Sequence, residues 1–316
     1  MKEASYLLDT TMDLMSGSGG DKNGGESEED KLVSLAKDIQ HKLPDIFDVE
    51  RVSIDFPVMY EESMNTVLIQ ELEKFNRLTN IVQTSLREIQ RAIKGEVIMS
   101  MELEKMGVSM VSGKVPVLWS NASYPSLMPL GSWVNDLIER LKFFQRWIDE
   151  GIPSKFWLSG FFFTQAFLTG TRQNFARRNT IPIDCVVWGF DVLSQKDDSE
   201  IQEGPKSGAY VYGMYLDGAT WDNERGVLKE SAPKVLRESM NTIHIIPMDK
   251  SDLKNHDKDK RKYRTPLYKT SERRGQLSTT GHSTNFVLMF ALPMSEEHDE
   301  KHWIKRGVAM LSQLDE

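Results

Sequence analysis

"GFFFTQAFLTGTRQNFARRNTIPIDCVVWGFDVL", residues 160 to 193, packs five phenylalanines and three arginines into its first nineteen positions and then changes its rhythm. Up to Arg178, the residues Phe163, Phe167 and Phe175 fall roughly on one side of a helix that Ser159 or Gly160 can open. Arg172, Arg177 and Arg178 gather in its second half, where cations meet the partial negative charge of a helix C-terminus. Past Thr180 the period drops to two, and Val186, Trp188, Phe190 and Val192 alternate as in a strand. A membrane anchor would need about 20 predominantly apolar residues. The run from Phe156 to Gly170 is shorter than that and is interrupted by Thr164 and Gln165, which excludes a span.

Upstream of this stretch the spacing is helical. Leu32, Leu35, Ala36 and Ile39 predict a helix over Lys31 to Leu43, with Pro44 as its stop. Between Ser63 and Lys94 the series Leu68, Leu72, Phe75, Thr79, Val82, Leu86, Ile89, Ile93 steps by four and three, an apolar seam that packs along other helices. Gly95 interrupts it, and helical spacing resumes through Val97, Met101 and Met106. A further helix from Ser132 to Glu150 presents Trp133, Leu137, Leu141, Phe144 and Ile148 on one face. The glycine- and acid-rich residues 16–30 form a linker or exposed loop, and they lack the spacing of a phosphate-binding loop or a dinucleotide fingerprint.

Downstream, Tyr210, Tyr212, Met214 and Leu216 alternate as one strand before an Asp217-Gly218 turn. Ala219 to Trp221, Thr242 to Met248, Tyr263 to Tyr268 and Phe286 to Leu292 are further strands, the last continuous enough to be buried on both faces. A short helix from Glu296 to Arg306 ends at Gly307, and the segment after it returns as a final strand. Helices followed by strands predict an α+β fold: a helical subdomain over residues 1–179 and a small antiparallel β-barrel over 180–316, closure removing exposed strand edges.

Composition narrows the chemistry. A net charge of −8 and a pI near 5.4 disfavour binding to polyphosphate. The single cysteine, Cys185, lies in an apolar segment and is expected to be a buried, unreactive thiol in a reducing compartment. The first fifteen residues lack the unbroken apolar core of a signal peptide, so no export is expected. His298 and His302 stand at i and i+4, but the residues between them read "HDEKH" rather than H-E-x-x-H, and no third ligand lies nearby in sequence. No metal, cofactor or catalytic residue is therefore expected. Tyr210, Tyr212, Tyr215 and Trp221, with basic clusters at 258–264 and at Arg273 and Arg274, leave one alternative, a barrel that binds single-stranded nucleic acid by stacking. The acidic loop 197–203 lies between the two strands that would build that platform and weighs against it.

Seven segments carry a resemblance: "MNTVLIQELEKFNRL", "VPVLWSNASYPSLMPLGSWVNDLIERLKFFQRWI", "FWLSGFFFTQAFLTGTRQNFARRNTIPID", "VYGMYLDGATWD", "YRTPLYKTSERRG", "STNFVLMFALP" and "HWIKRGVAML". In this order they resemble the C-terminal domain of dynein heavy chains over nearly the whole length, and residues 16–30 resemble the axonemal type. Such heavy chains are far longer, so Met1 is expected to begin a fragment. The resemblance implies a helical part followed by a small β-barrel, lying across one face of a ring of six ATPase modules. It also implies modulation of a motor in the axoneme of a cilium or flagellum, without nucleotide, nucleic acid or membrane bound by this part and with microtubules engaged only through the parent motor. In that setting Phe163, Phe167 and Phe175 fill the junction between the two parts, while Arg172, Arg177 and Arg178 either end their helix or pair with acids on neighbouring ring modules.

Overall fold

Ser27 opens the first helix by accepting the backbone N–H of Asp30 at 3.1 Å, so that Glu28, Glu29 and Asp30 form its acidic first turn. The computed structural model describes residues 27–194, 200–256, 261–273 and 285–315. The expected linker therefore ends earlier than residue 30, and its part at 16–26 lies outside the described residues. The helices are α1 (Glu28–Lys42), α2 (Val49–Asp55), α3 (Ser63–Ile93), α4 (Met101–Val111), α5 (Val117–Ala122), α6 (Leu130–Glu150), α7 (Thr164–Asn179), α8 (Leu253–His256) and α9 (Glu300–Lys305). The strands are β1 (Lys155–Trp157), β2 (Val186–Val192), β3 (Ala209–Tyr212), β4 (Tyr215–Asp217), β5 (Thr220–Asp222), β6 (Val227–Lys229), β7 (Arg237–Ser239), β8 (Ile243–Asp249), β9 (Lys262–Tyr268), β10 (Phe286–Pro293) and β11 (Ala309–Leu311). The fold is α+β, with helices first and several sheets after them.

Packing separates two units. Among the described residues, one comprises Ser27–Phe47, Glu73–Lys142 and Asp315; the other comprises those within Asp48–Leu72 and Phe143–Leu314. The first is helical. Phe75, Leu78, Val82, Leu86 and Ile89 of α3 are closed off from solvent, so the seam read from the sequence is a core seam of the molecule itself. Gly107 of α4 lets three helices meet, since a Cβ there would come within 2.9 Å of Leu32 on α1 and 3.3 Å of Ile89 on α3. Trp119 donates its indole N–H to Ser85 Oγ at 2.8 Å and stacks on Trp133. Buried among these rings is an ion pair. Arg140, 2% exposed, donates from Nε to Asp136 at 2.7 Å, and the Tyr124 hydroxyl donates to the same carboxylate oxygen at 2.7 Å. The Arg140 guanidinium also lies 3.7 Å from the centre of the Tyr124 ring.

The second unit holds all the strands. One sheet runs β1-β3-β8-β2, a second β10-β9-β11-β4-β7, and β5 and β6 form a hairpin. β1 pairs with β3 and β11 with β9 in parallel, and the other ladders are antiparallel. Phe190 of β2 and Phe290 of β10 meet at 4.8 Å, which packs the first two sheets together. The expected closed barrel does not form among the described strands, because neither sheet pairs its last strand with its first. Many of the strands are only three residues long, and left-handed glycines redirect the backbone between them.

Gly213 is decisive here. Its φ of +83° breaks the segment that alternation predicted as one strand into β3 and β4, which belong to different sheets. A Cβ at this position would lie 2.3 Å from Cδ1 of Trp157. β10 is the outer strand of its sheet, so Val287, Phe290 and Leu292 are buried while the rest is half-buried, rather than covered on both faces. α9 is shorter than predicted because Asp299, not a residue near Glu296, accepts the N–H of His302 at 3.0 Å and caps the helix. Cys185 is exposed rather than buried, since it ends a short 3₁₀ turn (Ile183–Cys185) before β2 enters the sheet.

Candidate functional site

The helix that carries the arginines begins at Thr164, not at Ser159 or Gly160. Leu158–Gly160 is a 3₁₀ turn, and the cap comes from a distant residue. Glu71 of α3 is fully buried, and its carboxylate accepts the backbone N–H groups of Phe162 and Phe163, the latter at 2.9 Å. A carboxylate at this end meets both the orphan N–H groups and the positive pole of the helix. Sequence reading missed Glu71, because its partners lie some ninety positions away.

The three phenylalanines part company. Phe167 is fully buried, 4.6 Å from Phe161 and 4.8 Å from Phe156, in a cluster that continues through Phe161 to Phe143, Phe144 and Trp147. Phe163 stands at the N-cap and is half-buried, as is Phe175.

The arginines separate as well. Arg172 donates to the carbonyls of Ile183 and Val186, both at 2.8 Å, and so pins the start of β2. Arg177 donates to the Tyr60 carbonyl and to Ser63 Oγ at 3.0 Å, with its guanidinium 4.5 Å from the centre of the Tyr60 ring. Beside it Asn174 accepts the Ser63 N–H and donates to Glu62, each at 2.8 Å. This face of α7 thereby satisfies the first residues of α3. Arg178 is exposed and makes a long 3.5 Å contact to the Lys206 carbonyl. It stands with Glu62, Phe156, Asn174, Phe175 and Lys206 around a cleft of about 410 Å³.

A second concave surface lies on the helical unit. Leu32, Ile89, Met99, Leu103, Val108 and Val111 line a mostly apolar cleft of about 400 Å³, bordered by Glu28, Glu29 and Glu104. Val108 is 67% exposed, and Met99 and Val111 are also open to solvent.

The rings proposed as a stacking platform are not brought together. Tyr210 and Tyr212 lie on β3, Tyr215 on β4 and Trp221 on β5, and these three strands belong to three different sheets, with Trp221 buried. Arg273 donates to the Gly307 carbonyl and to Asp217. Residues 258–260, 197–199, Arg274 and His282 lie outside the described residues. Among the described residues, no helix is long and apolar enough to cross a membrane.

The sequence pattern of the C-terminal domain of dynein heavy chains matches residues 1–312. The protein belongs to that family. It is 49% identical over 304 residues to dynein axonemal heavy chain 12 of Homo sapiens, covering 96% of this chain and 10% of that protein. It is 51% identical over 298 residues to human dynein axonemal heavy chain 3, covering 94% of this chain and 7% of that one. Dynein axonemal heavy chain 1 of Rattus norvegicus matches at 48% over 292 residues, or 92% and 6%. This dynein C-terminal domain thus spans a tenth or less of the length of these curated relatives.

Proposed function

We propose that this dynein C-terminal domain is a non-catalytic regulatory and structural module of an axonemal heavy chain, packed on the ATPase ring of its own polypeptide. In this reading it works in the axoneme of a cilium or flagellum and meets microtubules only through the parent motor. Residues 1–179 act as the helical subdomain and 180–316 as the strand-rich one. The observation that carries the reading is the cleft bordered by Met99, Val108 and Val111. Soluble proteins rarely leave a large contiguous apolar surface uncovered, and such surfaces mark interaction sites. A ring module presenting apolar side chains and a few cations would match the apolar floor and its rim of Glu28, Glu29 and Glu104. Arg178 supplies a second contact, offering a cation to acids on a neighbouring module.

The test is a comparison of the parent heavy chain with variants bearing Val108→Asp and Val111→Asp, and separately Arg178→Glu. The apolar-to-acid pair is expected to change ATPase rate and microtubule gliding velocity while the 316-residue polypeptide alone keeps its fold and melting temperature. Motility identical to that of the unaltered motor would overturn the docking role of this surface.

A further inference from the structure

Two histidines and one carboxylate converge near the end of the sequence, although the spacing "HDEKH" left them without a third ligand nearby. The third ligand comes from elsewhere in the fold. Glu230 directly follows β6, and His298 and His302 flank the N-cap of α9, where Asp299 fixes the first turn. One ligand atom from each of the three lies within 4.8 Å of the others. Nε2 of His302 is 2.9 Å and Nε2 of His298 is 3.7 Å from Oε1 of Glu230. The imidazoles are stacked at 4.0 Å and 7° from parallel, so one ring turns about its side-chain bonds to bring both in-plane lone pairs onto a common ion. We infer that Glu230, His298 and His302 form a binding site for one divalent ion of the zinc type.

Three observations carry this inference. Zinc bonds of about 2.0–2.1 Å place tetrahedral ligand atoms about 3.3–3.4 Å apart, and the two measured separations bracket that edge. His302 Nε2 is closed to solvent and makes no hydrogen bond among the described residues, although Oε1 of Glu230 is 2.9 Å away. The distance suits a hydrogen bond but the direction does not, which leaves the nitrogen lone pair open to a metal. Finally, Trp303, fully buried, packs perpendicular to both rings with its centre 5.0 and 5.5 Å from theirs. Imidazole with one carboxylate selects Zn²⁺, Co²⁺, Ni²⁺ or Cu²⁺ over Mg²⁺ and Ca²⁺, which prefer oxygen. Three protein ligands leave one tetrahedral position for water. The opposing feature is Arg306, whose guanidinium reaches the same Glu230 oxygen at 3.3 Å and competes with any cation. A bound ion would fasten the hairpin of β5 and β6 to α9.

The experiment is titration of the 316-residue polypeptide with Zn²⁺ by calorimetry, with Co²⁺ absorption reporting nitrogen and oxygen coordination. One ion per molecule is expected, with affinity lowered at least about tenfold in His302→Ala and in Glu230→Gln. Arg306→Gln is expected to raise affinity, because it frees the carboxylate. Glu230→Gln sits after a strand end and serves if a histidine variant fails to fold. Absence of stoichiometric binding, or binding unchanged in both His302→Ala and Glu230→Gln, would overturn the assignment.

Discussion

The helical unit and the strand-bearing unit are stabilised in different ways. In the helical unit, long periodic faces bury aliphatic side chains, and the buried Asp136–Arg140 pair is enclosed by its own helix and by Tyr124, which itself stacks on Trp133. In the strand-bearing unit, short strands and turns leave many backbone ends, and single side chains satisfy them: Glu71 for the start of α7, Arg172 for the start of β2, and Arg177 for the carbonyl of Tyr60. Regular elements satisfy their own backbone, whereas irregular ones borrow polar side chains from a distance. The charged residues of this protein therefore have to be judged by what they hold.

The largest expected effect tests the enclosed pair. Asp136→Ala leaves the Arg140 charge buried without its carboxylate partner, and is expected to cost about 3–5 kcal/mol in denaturant unfolding. Replacing both partners, Asp136→Leu with Arg140→Met, should cost much less. Equal losses in the single and double variants would mean that the pair stabilises by shape alone. Phe167→Ala comes next in the other unit, at about 3–5 kcal/mol for a fully buried ring, while Phe175→Ala at a half-buried position should cost clearly less. Glu71→Ala sharpens the contrast. It uncaps two N–H groups at once and is expected to cost about 1.5–3 kcal/mol, measured by unfolding and by faster hydrogen exchange at Phe162 and Phe163.

pH separates the units more gently. Burial holds the Tyr124 phenol well above its ordinary value of 10.0, with Asp136 adding to the rise and Arg140 opposing it. The unfolded polypeptide releases that proton first, so the helical unit loses stability as pH climbs past about 10. In the strand-bearing unit burial lowers His244 below 6.5, despite the hydrogen bond from its ring to the Ser207 carbonyl. The unfolded polypeptide takes up that proton first, so stability present above pH 6.5 declines as pH falls, and His244→Gln should flatten the acid limb of a melting profile. The smallest effect belongs to Arg178→Glu, within about 0.5 kcal/mol for an exposed side chain.

The same contrast explains what could be read in advance. Helices α1, α3, α4 and α6 were legible because burial along them repeats every three or four residues and Gly95 marks the break after α3, but α4 starts at Met101, beyond Val97, because Ser100 accepts the N–H of Leu103 and caps it there. β1 was not, since three residues between Pro153 and a 3₁₀ turn carry too little alternation to register. The turn at Gly213 was hidden because Tyr210 to Leu216 keeps an alternating pattern through it, while the backbone reverses which side faces inward. For the five residues singled out on α7 and Phe163 at its N-cap, the helix was legible but the partners were not. Glu71, Tyr60 and Val186 are joined to that helix by tertiary geometry, which no local spacing encodes. The absent barrel closure is of the same kind: strand existence follows from pattern, but pairing order follows from where the turns send the backbone.

Cys185 stands exposed between the two carbonyls that Arg172 grips, and it is the single thiol in 316 residues. In the 316-residue polypeptide it is therefore a single attachment point for a maleimide dye or a nitroxide spin label, with no engineered cysteine required. Placed inside a clamp that fixes the first residues of a sheet strand, such a probe would report in real time whether that clamp loosens as the polypeptide is taken through denaturant.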